Sequence, residues 1–159
     1  MSVVVRQARP DDAALIFGFI RDLAEYEKLL DEVTATPERI AGDLFGENPR
    51  VFCDIAEVDG RAVGFAIWFY NYSTFKGRHG IYLEDLFVRP EARGKGVGKA
   101  LLAGLAKRGI DEGLPRLDWA VLDWNAPSIA FYDRLGAEAL DDWIIHQLSG
   151  DALKRLAGA

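Results

Sequence analysis

Residues 82–109, YLEDLFVRPEARGKGVGKALLAGLAKRG, restrict the fold more than any other stretch. A β-rich run with two carboxylates in its middle stops at Arg89-Pro90. A loop with three glycines and three basic residues follows, and a helix then opens near Val97, with Val97, Leu101, Leu102 and Leu105 on one face. A strand that feeds a helix through a tight glycine turn belongs to an α/β arrangement, because the helix packs back on the sheet and returns the chain to a further strand. The first turn of such a helix carries N–H groups without intrahelical partners and the positive end of its dipole, which together attract anions. Two common phosphate patterns do not fit. Gly94 and Gly98 are one residue too close for G-x-x-x-x-G-K-[ST], and Ala100 stands where the hydroxyl is needed. Lys99 stands at the third glycine of a dinucleotide fingerprint. What fits is R-x-x-G-x-G, carried by Arg93, Gly96 and Gly98, though a glycine-rich turn with no ligand would look the same.

The rest of the chain supplies a sheet for this unit. Residues 2–8 read as a strand, and Pro10-Asp11-Asp12 opens a helix reaching about Lys28, with Leu15, Ile16, Phe19, Ile20 and Leu23 at helical spacing. Thr36-Pro37 caps a second helix that stops near Gly46. Strands are expected at 51–58 and 61–72, joined by the tight turn Asp59-Gly60, and at 81–88 after the polar loop STFKGRHG. Beyond the glycine helix, expected over 97–110, a strand is expected over 117–124. A helix over 126–135 follows, with Asn125 as its cap, Pro127 in its first turn and Gly136 past its end. A last strand around 139–148 and a short terminal helix complete an α/β chain with a mixed sheet.

The 159 residues amount to one domain, 1–159, half of them apolar. A net charge of −6 speaks against a nucleic-acid partner. The single Cys53 excludes an internal disulfide, and His79 and His146 alone make no metal cluster, so no metal is expected. MSVVVRQ is too short for a signal peptide and VGFAIWFY, 63–70, too short to span a bilayer, so no membrane partner is expected and the cytoplasm is the expected location.

Glu84 and Asp85 are the candidate general bases. A carboxylate in an apolar strand is desolvated and becomes a stronger base. The two-residue period of a strand puts the pair on opposite faces, so only one is expected at a site.

RGKGVG after LFVRPEA resembles the coenzyme A signature of the GNAT N-acetyltransferases, and AVLDWNAPSIAFYDRLGA resembles their second signature. RDLAEYEKL, FGENP, YSTFKGR, YLEDLFV, AVLDWN and LKRLAG resemble in particular the spermidine/spermine acetyltransferase group and its thialysine-acetylating branch, over essentially the whole chain. The resemblance implies a single-domain fold with a mixed, mostly antiparallel sheet whose central strands splay, flanked by helices. It implies acetyl-CoA as co-substrate: its pantetheine along Leu86, Phe87 and Val88, its pyrophosphate on Arg93, Gly94, Lys95, Gly96, Val97, Gly98 and Lys99, and its other side against Asn125, Ala126, Pro127 and Ser128. Tyr132 would donate to the departing sulfur, with Phe131 beside it as the core aromatic, and the resemblance selects Glu84 over Asp85 as base. Tyr26, Glu27, Glu84 and Trp119 would line the acceptor pocket, and the partner would be a second copy in a homodimer.

The implied reaction is acetyl transfer to a primary amine of a small cationic substrate. A primary amine with a pKa of ~10.4 is almost wholly protonated at neutral pH, so the reaction needs a base. The loop before YLED lacks the carboxylate of the polyamine-specific branch and offers Phe75, Lys76 and Arg78, which favours a thialysine- or lysine-like amino acid or a diamine over a polyamine as acceptor. A protein N-terminal or lysine acetyltransferase and a non-catalytic CoA sensor are the alternatives. The sensor could dispense with Glu84 and Tyr132, yet both are present.

Overall fold

The computed structural model describes residues 2–159, which divide into two compact units, one ending at Leu122 and the other covering Asp123–Ala159. The first unit holds β1 (Val3–Gln7), α1 (Ala13–Tyr26), α2 (Pro37–Phe45), β2 (Phe52–Val58), β3 (Arg61–Ser73), β4 (Arg78–Val88), α3 (Val97–Glu112) and β5 (Leu117–Trp119). Its strands form one sheet in chain order, β1-β2-β3-β4-β5. The first three pairings are antiparallel; β4 and β5 are parallel, as the α3 crossover between them requires.

The local chemistry of each junction is visible. Asp59 and Gly60 both take positive φ, the combination that matches a two-residue hairpin to strand twist. Thr36 Oγ1 accepts from the Arg39 N–H at 3.2 Å, and Pro37 starts α2 where a missing N–H costs nothing. On one sheet face Ile55, Phe65, Ile67 and Phe87 pack with Ile16 and Phe19 of α1. Phe19 stacks on Phe65 at 5.2 Å between ring centroids. The opposite face is covered by α3, with Val97, Leu101, Leu102 and Leu105 buried as expected.

Three sequence expectations change. β4 starts at Arg78, three residues early, because Ser73↔Arg78 through Asn71↔Gly80 extend its ladder with β3. β5 covers only Leu117–Trp119 of the expected 117–124. The second unit consists of α4 (Ala126–Arg134) and α5 (Gly150–Ala157), and the strand expected over 139–148 is not formed. A strand needs a neighbour's edge to satisfy its backbone. This segment has no ladder among the described residues, and Trp143, Ile144 and Ile145 are exposed.

Candidate active site

β4 is where the site is built, and a β-bulge decides its geometry. Ile67 of β3 faces Asp85 and Trp68 faces Leu83, so the register skips Glu84. The parallel ladder with β5 also ends there, since Leu83↔Trp119 is its last pair. β4 therefore loses β5 at the residue where its pairing with β3 is irregular. From Glu84 to Val88 the strand has no β5 partner, the splay that a backbone-pairing ligand needs. Leu86 and Val88 are half-buried, but the Phe87 side chain belongs to the core and only its backbone is available.

The bulge interrupts the alternation on which the placing of Glu84 and Asp85 on opposite faces rests. Directly opposed residues share a sheet face. Cys53, Ile67 and Asp85 form one such row, on the face packed by α1. Phe52, Trp68 and Leu83 form the next, on the α3 face, where the Arg108 guanidinium lies 4.9 Å from the Trp68 ring centroid. An unbroken strand would put Leu83 and Asp85 on the same face; the extra residue turns Asp85 to α1 instead. Burial first, with the negative charges of Glu84 and then Glu27, pushes the Asp85 carboxyl up to about 7. Burial likewise raises Glu27, which caps the C-terminal end of α1, while Glu84 is exposed. Asp85 thus feels two carboxylates, one from its own strand and one from the end of α1.

The glycine loop has the form expected of an anion cradle. Gly94 and Gly96 take φ of +75° and +82°, and Gly96 is the N-cap of α3 with no capping side chain. A Cβ built at either would meet nothing within 4 Å, so these glycines are set by backbone conformation and open approach, not by crowding. Lys95 and Lys99 are exposed, Gly98 is half-buried, and Val97 is an anchor whose side chain is buried. Arg93 is placed otherwise than a loop cation: its Nε donates to the Val88 carbonyl at 2.9 Å. Its guanidinium lies 5.0 Å from the Tyr26 ring centroid and 5.6 Å from that of Phe87. It joins loop, strand end and α1. Beside it opens a cleft of about 410 Å³ lined by Tyr26, Phe87, Arg89, Pro90 and Arg93 with the carboxylates Asp22, Glu25 and Glu91. The sequence reading used Arg89-Pro90 only as a strand stop and missed its charge.

Arg78, expected to suit a substrate carboxylate, has another task. Its Nη1 donates to the Gly113 carbonyl at 3.2 Å, closing the C-terminal end of α3. Trp119 is half-buried at the end of β5.

In the second unit Asn125 is buried and its Oδ1 accepts from the Ser128 N–H at 3.4 Å, starting α4 with Ala126 and Pro127 in the first turn. Phe131, expected as the core aromatic, is no more buried than Tyr132. Both are half-buried, with ring centroids 5.4 Å apart. Among the described residues no group of three metal-ligating side chains stands together, and no helix is long and apolar enough to cross a membrane.

Known proteins resemble this chain in sequence and in fold. The thialysine N-epsilon-acetyltransferase of Bos taurus is 40% identical over 98% of this chain and 98% of its own. The L-ornithine N5-acetyltransferase of Arabidopsis thaliana is 29% identical over 96% of this chain and 86% of its own. Among solved structures, an integron cassette protein from the mobile metagenome of V. cholerae superposes with a TM-score of 0.82 at 27% identity, over 100% of this chain and 99% of that one. The family model described as Acetyltransferase (GNAT) family matches residues 18–137, a span that contains the bulged strand, the glycine loop and Tyr132. The chain therefore belongs to the GNAT acetyltransferase family and is an N-acetyltransferase.

Proposed function

We propose that this enzyme transfers the acetyl group of acetyl-CoA to the side-chain amine of a small, lysine-like amino acid. One observation carries the acceptor class: the charges of Glu84 and Glu27 both act on Asp85 where β4 departs from its regular pairing. Such a cluster attracts an ammonium and can take its proton. The full-length similarity to thialysine and ornithine acetyltransferases supports an amino acid ahead of a polyamine. The mixed charge of the cleft beside Tyr26 suits a zwitterion as well, since Arg89 and Arg93 stand there with three carboxylates.

The chain's own residues divide the work. N–H groups of Gly94 to Lys99 hold the pyrophosphate, with Lys95 and Lys99 adding charge. The backbone of Leu86 to Val88 pairs with the pantetheine arm, and Asn125 to Ser128 also serve in cofactor binding. Glu84 draws in the ammonium beside Tyr26, Glu27 and Trp119, and serves as base. Tyr132 gives the departing sulfur a hydrogen bond and a proton. The chain works as one domain, since the family match runs across both units. It acts as a homodimer, supported by the large apolar side chains exposed over 140–156. A cytoplasmic place fits the lone buried thiol.

The test is kcat/KM for thialysine, lysine, ornithine, putrescine and spermidine in one buffer. An unpaired charge in a closed pocket costs about 1–3 kcal/mol, so the favoured amino acid is expected to lead putrescine by about tenfold or more. A clear lead for spermidine overturns the amino-acid reading.

A further inference from the structure

We propose that Arg89 binds the α-carboxylate of the acceptor amino acid, in a head-group subsite where Asp22, Glu25 and Glu91 meet its α-ammonium. This rests on the amino-acid reading above and names the residue that selects it. The first ground is the cavity. The cleft of about 410 Å³ beside Tyr26 has the size of a small-molecule site and carries charges of both signs, as a zwitterion requires. The second is that the Arg89 guanidinium is left unpaired by the fold. Its Nε is buried without a hydrogen-bond acceptor. Among the described residues no ion pair reaches it, although three carboxylates line the same cleft. Its guanidinium carbon lies 5.1 Å from the Phe19 ring centroid, a contact with a π face that occupies no N–H donor in a hydrogen bond. Arg93 differs, since the Val88 carbonyl takes its Nε and the rings of Tyr26 and Phe87 hold its guanidinium. Of the described charged residues that line the cleft, Arg89 alone is not exposed. A half-buried cation with no anion beside it gains both charge and acceptors from a bound carboxylate, which its planar fork fits two bonds at a time.

The subsite stands at a suitable distance from the carboxylates of β4. On the α1 face of that strand Phe87, which lines the cleft, is two residues beyond Asp85, about 7 Å at the rise of a strand. On α1, Tyr26 lines the cleft and Glu27 follows it with a charge that acts on Asp85. An extended lysine-like side chain covers such a distance, so a head group held in the cleft leaves the terminal amine beside β4. A diamine of the same length brings an ammonium to the cleft but no carboxylate, and Arg89 stays unpaired.

The experiment compares kcat/KM, at saturating acetyl-CoA, within two substrate pairs that differ by the carboxyl group alone: lysine with cadaverine, and thialysine with bis(2-aminoethyl) sulfide. Wild type, Arg89→Met and Arg89→Lys are measured. The wild type is expected to favour the amino acid of each pair by about tenfold or more. Arg89→Met is expected to erase that preference, chiefly through a higher KM for the amino acid. Arg89→Lys is expected to keep part of it, because an ammonium supplies the charge without the fork. A wild-type preference that survives intact in Arg89→Met, including one where both members of a pair fall alike, overturns the Arg89 subsite and leaves the amino-acid reading standing. A wild type with no preference for the amino acid overturns both. If Arg89→Met does not fold, nitrogen-15 NMR of the wild-type arginine side chains with CoA bound decides. The Arg89 Nε signal is expected to shift on adding lysine and much less on adding cadaverine. No shift with lysine at concentrations that saturate turnover, or equal shifts with both, overturns the assignment.

Discussion

Tyr132 and Asp85 illustrate how one side chain is tied to function or to stability by its surroundings. For Tyr132→Phe, loss of a proton donor to a thiolate is expected to cost kcat about 10²–10⁴-fold, with CoA affinity little changed by calorimetry. Near-normal turnover removes the hydroxyl from the reaction. Asp85 carries a stability prediction as well. Its carboxyl is raised in the folded chain, so folding favours the protonated form. Its contribution is most favourable below the unfolded aspartate range, falls as pH rises from about 4 to 7, and is level above that. Asp85→Asn is therefore expected to melt higher than wild type at pH 8 and about equally at pH 4. A melting temperature at pH 8 equal to or below wild type contradicts the raised carboxyl.

Between strand and helix, element chemistry sets what the glycine loop can do. Gly96 holds φ at +82° at the start of α3, where an L-residue costs about 1–2 kcal/mol. Gly96→Ala is expected to lose about that much stability in urea denaturation and to weaken CoA binding further, by moving N–H groups the pyrophosphate would meet. Unchanged CoA affinity in the folded variant removes this loop from the cofactor site. Most element types were legible in the sequence because caps and periodicity are local: Thr36-Pro37, Asp59-Gly60 and Asn125 mark their junctions without reference to the rest of the fold. The segment around 139–148 shows the limit. Its apolar residues suit a strand, yet strand formation depends on a free edge elsewhere, which no local pattern reports.

At the scale of the molecule, Arg6 ties β1 to its neighbours. Its guanidinium bonds Glu57 of β2 at 2.7 Å and Asp12, just before α1, at 2.8 and 3.0 Å. Arg6 holds the Asp12 carboxyl below the usual range, so this contribution is present above the unfolded aspartate pKa and is lost as pH falls through the folded one. Arg6→Met is expected to cost about 3 kcal/mol at pH 7, since it leaves a buried carboxylate unpaired, and much less at the acid end of the stability curve. Association is the other property of the whole chain. Trp143, Ile144, Ile145 and Leu156 are each more than three-quarters exposed, large apolar side chains that a partner surface would cover. Light scattering at micromolar concentration is expected to give the mass of a dimer; a monomer mass overturns the homodimer.

The sequence by itself determined the strand–glycine loop–helix unit, the caps, the core face of α3 and the family, because each rests on residue type and short spacing along one chain. The tertiary structure alone decided which sheet face Asp85 of YLED joins. Alternation by two is a property of an unbroken strand, and the residue that breaks it is recognisable only when Ile67 and Trp68 are seen paired across the sheet. It likewise decided that Arg78 closes a helix and that Arg93 lies between Tyr26 and Phe87. A cation's partner is chosen by distances between elements far apart in the chain, and the sequence records its charge but not its neighbour.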